Sequence, residues 1–219
     1  MPRLALFDLD HTLIPFDSGM AWTRFLTSLG ALPDDAPQAY LATCQGYVDG
    51  RLDIRALHRA TVSALRKVPP AQIDEWALAF EAEMAPRLPE PMKALVREHR
   101  AAGDLCALVT ATSRFIAEPF GRLFDLPHVL ATESARDAEN RLTGEILGEP
   151  CFREHKVSHV EVWLGLQSLS LASFDQSFFY SDSFNDMPLL EAVTQPAAVR
   201  PDARLRAHAA GAGWRIIEP

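Results

Sequence analysis

Cysteine is scarce in this sequence, and that scarcity sets the first limits. The 219 residues hold only Cys44, Cys106 and Cys151. An odd, widely spaced trio fits neither a disulfide framework nor a zinc site, so reduced thiols are expected. No window approaches the roughly 18 uninterrupted apolar residues of a membrane span, although 48% of the chain is hydrophobic and 23% charged. The expectation is a soluble globular protein with no membrane partner. Positive charge is in deficit, 21 Lys and Arg against 29 Asp and Glu for a formal net charge of −8. That weighs against nucleic acid, whose binders carry a basic footprint, and means that an anionic ligand needs local positive charge. There is no internal repeat and no low-complexity tract. The N-terminus enters an apolar run within three residues, leaving no room for a secretory leader, so cytoplasmic residence is the expectation. The histidines, apart from His11, read as surface or satisfied polar residues. The length allows one sizeable core and a smaller accessory unit; a monomer or a homodimer is the expectation, and the sequence does not choose between them.

What is present begins at residues 4–14, Leu-Ala-Leu-Phe-Asp-Leu-Asp-His-Thr-Leu-Ile. This buried-strand run delivers Asp8 and Asp10 to its own end, where a phosphoryl-transfer enzyme would put a nucleophile. If the strand stayed regular past Phe7 the two carboxylates would share a face. Like charges that close persist when a cation neutralises them or one stays protonated; acids that merely face water or cap a turn are the plainer alternative. Further strand-like runs lie at Leu105–Val109, Val129–Ala131, Phe178–Tyr180, Ala197–Val199 and Trp214–Ile217. Helical spacing separates them, at 92–102 with Gly103 as a stop and at 156–166. Such alternation implies an α/β fold with a parallel sheet covered by helices. Ligands bind at the carboxyl ends of such strands, where Asp8, Thr110 and Asp182 stand.

The segment from about 15 to 86 has no convincing strand and reads as an all-helical insert. Ile54, Leu57, Thr61, Val62 and Leu65 form one stripe, and Ile73, Trp76, Ala77 and Phe80 another. Both are expected in a bundle core. Residues 141–147 suggest a small hairpin.

Four elements then fall in order on one edge of the sheet: Asp8 and Asp10; Thr110 with Ala111 and Thr112 just past a strand; Lys156 at a helix start; and Asp182-Ser183-Phe184-Asn185-Asp186. Any one alone is weak; together, in these contexts, they are specific. Here the chain resembles the haloacid dehalogenase superfamily, in its phosphoserine-phosphatase-like branch with a helical cap inserted after the first motif. The resemblance covers nearly the whole chain. It implies a Rossmann-like three-layer core from 1–14 and 87–219, an all-α cap at 15–86, and a hydrolase acting on a small-molecule phosphate ester.

A phosphate monoester dianion repels a bare carboxylate, so attack by Asp8 requires a bridging cation, and Mg²⁺ suits oxygen ligands. The resemblance implies Asp8 and Asp182 as side-chain ligands, the Asp10 backbone carbonyl as another, and Asp186 close by. Lys156, the Thr110 hydroxyl and backbone N–H groups near Ala111 would hold phosphoryl oxygens. Asn185 matches the family's residue near phosphate, or simply serves the turn, as Ser183 does. Asp10 would protonate the leaving alkoxide and then deprotonate the water that splits the aspartyl phosphate, which requires a pKa raised by burial and neighbouring carboxylates. His11 is expected to orient the loop.

A cap reads the leaving group, so selectivity should reside in 15–86. Asp17 stands where phosphoserine phosphatases carry an acid facing the substrate amine; equally, it could cap a helix. Tyr47–Ile54 also resembles that cap and sets a register in which the carboxylate-reading arginine falls at Thr61, with Arg55 and Arg59 nearby. Bidentate recognition is hard to replace. An amino-alcohol phosphate such as histidinol phosphate is therefore favoured over phosphoserine. A phosphotransferase or a phospho-aspartate signalling module are the remaining alternatives. Thr110-Ala111-Thr112-Ser113-Arg114-Phe115 replaces the family's Ser-Gly-Gly-Phe run, and Arg114 could reach substrate or lie along the surface.

Overall fold

An apolar run such as Leu4–Phe7 is stable as a strand only where both of its faces are covered. In the computed structural model, which describes residues 2–48, 51 and 53–218, that condition is met. The strands are β1 (Arg3–Phe7), β2 (Leu105–Ser113), β3 (His128–Thr132), β4 (Ser134–Arg136), β5 (Leu142–Ile146), β6 (Gln176–Ser181), β7 (Gln195–Val199) and β8 (Arg215–Ile217). Six form one sheet in the order β3-β2-β1-β6-β7-β8, every neighbouring pair parallel. β1 is central, between β2 and β6.

Period-two alternation divides the interior into two layers. Ala5, Phe7, Cys106 and Leu108 face one, Leu4, Leu6, Ala107 and Val109 the other. The first layer is covered by α1 (Ser18–Ser28), α4 (Pro70–Met84), α5 (Glu90–Ala101) and α6 (Arg114–Leu123), the second by α7 (Glu154–Gly165), α8 (Met187–Ala192) and α9 (Ala203–Ala212). The remaining helices, α2 (Ala36–Val48) and α3 (Ile54–Val62), complete the insert. α5 ends as expected: Gly103 takes φ +78°, and Gly103 N–H and Asp104 N–H bond the carbonyls of Arg100 and His99, a left-handed stop that glycine adopts without penalty.

Four expectations need correction. β2 does not end at Val109: after a register shift its pairing resumes at Ser113 opposite Thr132, so Thr110 lies within the strand. The piece 141–147 is one arm of a hairpin, whose other arm is β4. Among the described residues the insert shares its core with the sheet, since Trp22, Phe25, Phe80 and Met84 belong to the same apolar cluster as Phe7, Met92 and Phe120. Trp22 meets Phe80 edge-on at 5.2 Å and Phe80 meets Phe120 at 5.7 Å. Finally, the α3 stripe splits: Val62 and Leu65 are buried, whereas Ile54, Leu57 and Thr61 line a cavity. Within the cap-like stretch 47–54, Asp49, Gly50 and Leu52 lie outside the described residues. Among the described residues no helix is long and apolar enough to cross a membrane.

Candidate active site

The two aspartates at the end of β1 do not share a face, because the strand does not continue. Asp8 N–H makes a last ladder-like bond to the Tyr180 carbonyl at 2.9 Å. The chain then loops, with His11 at φ 57° and Ile14 N–H returning to the Leu9 carbonyl at 3.1 Å. Arg200, just past β7, donates through Nε to the His11 carbonyl at 3.0 Å and through Nη2 to the Thr12 carbonyl. His11 thus serves the loop through its backbone, and its side chain is exposed.

Asp8 enters a buried cluster. Its Oδ1 accepts from Lys156 Nζ at 2.8 Å and its Oδ2 from Thr12 Oγ1 at 2.9 Å. Lys156, in the first turn of α7, is 2% exposed and also donates to Asp186 Oδ2 at 2.7 Å. The same Asp186 oxygen accepts from Ser181 Oγ at 2.7 Å. Burial alone would lower the Lys156 pKa, but the charges of Asp186 and Asp8 outweigh it and leave the ammonium firmly protonated. Asp182 N–H donates to Thr12 Oγ1 at 3.0 Å, and its Oδ1 lies 3.4 Å from that hydroxyl. Its carboxyl is pushed up to about 8 by burial first, then by the charges of Asp8 and Asp186, with Lys156 opposing.

Asp10 takes different partners. Its Oδ1 accepts from Ser18 N–H at 2.5 Å and its Oδ2 from Thr112 Oγ1 at 2.6 Å. Burial and the Asp17 charge raise its pKa to about 7, the bonds from Ser18 and Thr112 hold it down, and Asp8 adds a smaller upward push. The two acids of one motif therefore differ in environment: one is ion-paired, the other is held by neutral donors.

Asp10 opens onto a cavity of about 290 Å³ between the insert and the sheet edge, lined also by Asp17, Tyr40, His58, Ala111, Phe152 and Asn185, with apolar walls from Ile54, Leu57, Ile116 and Ile146. Thr110 is not on that lining; it is 1% exposed and its Oγ1 accepts from Thr112 N–H at 3.1 Å. Asn185 donates its N–H to Ser183 Oγ at 3.2 Å, so Ser183 does cap the turn, while Asn185 Oδ1 accepts from Arg153 Nε at 3.3 Å. Asp17 caps α1, accepting from Met20 N–H at 2.7 Å, and lines the cavity as well. The two geometric readings of Asp17 are compatible.

The arginines face elsewhere. Arg114 pairs with Glu133 and Glu118, the surface alternative. Arg55 donates to the Gly148 carbonyl at 2.9 Å and Glu149 at 3.0 Å, and Arg59 pairs with Glu145 at 3.1 Å. The Thr61 hydroxyl turns to the Leu57 carbonyl.

Tyr40, His58 and Arg200 join the site without a sequence motif to mark them. Arg200 follows an apolar strand, a position that could have marked it; Tyr40 and His58 sit in helices with no motif around them. His58, expected to be an ordinary polar histidine, lines the cavity and has Nδ1 3.2 Å from Ser113 Oγ. His155 and His159, one turn apart on α7, both turn to Glu149, at its side chain (3.7 Å) and its carbonyl (3.0 Å).

Known proteins resemble this chain in sequence and in fold. A family model described as haloacid dehalogenase-like hydrolase matches residues 5–191. A histidinol-phosphatase of Neisseria meningitidis serogroup C (strain 8013) is 34% identical over 219 residues, 99% of this chain and 99% of its own. Among solved structures, a Bordetella pertussis Tohama I protein of unknown function superposes with a TM-score of 0.94 at 42% identity, over 100% of this chain and 99% of that one. A substrate-bound phosphoserine phosphatase shares the fold, with a TM-score of 0.70 at 17% identity over 100% of this chain and 94% of the other.

Proposed function

We propose, from the premise that this chain belongs to the haloacid dehalogenase-like hydrolase family and is a phosphatase of it, that it hydrolyses a small phosphate monoester whose leaving group carries an amine and no carboxylate. Histidinol phosphate is the representative substrate. The observation that carries this reading is the cavity lining, whose acids are Asp10 and Asp17 and which includes no lysine or arginine among the described residues. A carboxylate there finds no guanidinium fork, whereas an ammonium finds an acid. Selectivity belongs to a cap at 15–86, laid over a core of 1–14 and 87–219.

In this mechanism Asp8 attacks phosphorus, the bond to the ester oxygen breaks, and an aspartyl phosphate forms on Asp8. Asp10 gives a proton to the departing alkoxide, then takes one from the water that splits the aspartyl phosphate, which restores both carboxyl groups. Its bonds to Ser18 and Thr112 support a fixed aim. Lys156, N–H groups near Ala111 and Asn185 hold the phosphoryl oxygens and spread the developing charge, while Thr110, buried off the cavity lining, accepts from the Thr112 N–H and so helps to place that residue. Hard oxygen donors suit Mg²⁺, which is commonly held by one or two carboxylates with waters and substrate oxygens. Asp8 and Asp182 fit: both approach the Thr12 hydroxyl, and the charged form of Asp182 is disfavoured by burial first and then by the charges of Asp8 and Asp186, which a cation would relieve. The Asp10 carbonyl and Asp186 complete the set of residues that would hold the ion. When bound, Mg²⁺ neutralises the repulsion between Asp8 and the phosphate dianion.

The test is a substrate panel. Histidinol phosphate should be turned over with a higher kcat/KM than O-phosphoserine, and faster hydrolysis of O-phosphoserine would overturn the assignment of the leaving group.

A further inference from the structure

Tyr40 comes from α2, a helix with no part in the motifs, yet its hydroxyl reaches the site. Tyr40 Oη donates to Asp17 Oδ1 at 2.8 Å, and Met20 N–H, at the start of α1, donates to the same oxygen at 2.7 Å. Both donors converge on Oδ1, so the carboxylate is fixed in direction with Oδ2 free of them. Tyr40 and Asp17 are both on the cavity lining. The approach depends on a missing side chain: a Cβ on Gly19 would collide with Tyr40 Oη and stand 3.0 Å from its ring and 3.2 Å from Asp17 Oδ1. Glycine at 19 is thus what lets the phenol come down onto the acid.

We propose that Tyr40 is the positioning residue through which this site selects a cationic leaving group: from the cap it clamps Asp17 as a pre-oriented receptor for an ammonium. The inference rests on the phosphatase reading above and adds to it the residue that makes Asp17 selective. A carboxylate on a freely rotating side chain gives up rotamer entropy when it binds an ammonium, whereas one already held by two donors does not. A hydrogen bond to a charged acceptor is about twice as strong as a neutral one, so its loss is felt as affinity. The same bond ties α2 to α1, so an amine that draws on Asp17 also engages the helix over the cavity.

The experiment uses a matched pair of esters, 2-aminoethyl phosphate and ethyl phosphate, which differ by the ammonium alone. The intact protein should prefer the amino ester. Tyr40→Phe keeps the ring and removes the donor. It should lower kcat/KM for 2-aminoethyl phosphate about tenfold more than for ethyl phosphate, with the loss in KM rather than kcat. Gly19→Ala, which displaces the phenol by a different route, should reproduce that pattern, and Tyr40→Phe should add nothing in an Asp17→Asn background. A Tyr40→Phe protein that loses activity equally on both esters has lost only a helix contact, and that result overturns the proposal. So does one whose ratio is unchanged, or a wild-type protein that hydrolyses both esters without preference. Wild-type protein that hydrolyses neither ester would overturn the phosphatase reading as well, which separates the two failures.

Discussion

Lys156 shows how charge is arranged one residue at a time. It is 2% exposed and bonded to two carboxylates, so neither it nor they can relax into water. Lys156→Met keeps the volume but leaves Asp8 and Asp186 as unpaired buried charges. The free energy of unfolding in urea at neutral pH is expected to fall by about 3–5 kcal/mol, with part recovered by adding Asp186→Asn. A loss near zero would mean the cluster is solvated. At Asp8 the readout is turnover: Asp8→Asn should abolish hydrolysis of p-nitrophenyl phosphate, and retained activity would rule out its role as nucleophile. Chelation with EDTA should do the same to the native protein, reversed by Mg²⁺, and activity indifferent to EDTA would remove Mg²⁺ from the mechanism. These residues were legible because each sits in a motif at a strand or helix end. Tyr40 and Arg200 were not, since what qualifies them is a partner, Asp17 or the His11 carbonyl, that sequence spacing does not reveal.

Among elements, α3 is the instructive one, because it joins the insert to the hairpin of the core. Arg55 and Arg59 reach Glu149 and Glu145 from its exposed side, and such pairs are worth only about 0.2–1 kcal/mol each. His58, 7% exposed, packs inward to Ser113. Burial lowers its pKa from the ordinary 6.5, the Glu145 backbone and charge push it back up, and Arg55 and Arg59 add to the lowering. With a folded value below the unfolded one, the unfolded chain takes up the proton first. His58 therefore contributes its full stability above pH 6.5 and loses it as the pH falls from 6.5 towards the folded value. Unfolding midpoints measured at pH 7.5 and 5.5 should differ more in the native protein than in His58→Gln; equal differences would show that His58 is not the group responsible. The helical character of 54–62 was readable from its periodicity, but the direction of its apolar face was not. Ile54 and Leu57 are as apolar as Val62, and only the position of the sheet edge makes the first two a cavity wall. The end of β2 was not legible for a related reason: Thr110-Ala111-Thr112 carries no stop signal, and the strand runs on through a register shift until pairing with β3 resumes at Ser113.

At the scale of the molecule, insert and core share one apolar cluster. Phe80 of α4 lies between Trp22 of α1 and Phe120 of α6, so Phe80→Ala should cost about 3–5 kcal/mol. Thermal unfolding should remain a single transition in both proteins; two separate transitions would show that residues 15–86 are stabilised independently. The sequence by itself determined the parallel α/β core, the helical insert and the order in which the acids, the threonine and the lysine arrive, because periodicity and motif spacing are properties of neighbouring residues. Only the tertiary structure decided which of them meet. Asp8 and Lys156 are separated by 148 positions, and Asp17 and Tyr40 by 23. A contact across such distances exists only once the sheet and the helices that carry its members have packed.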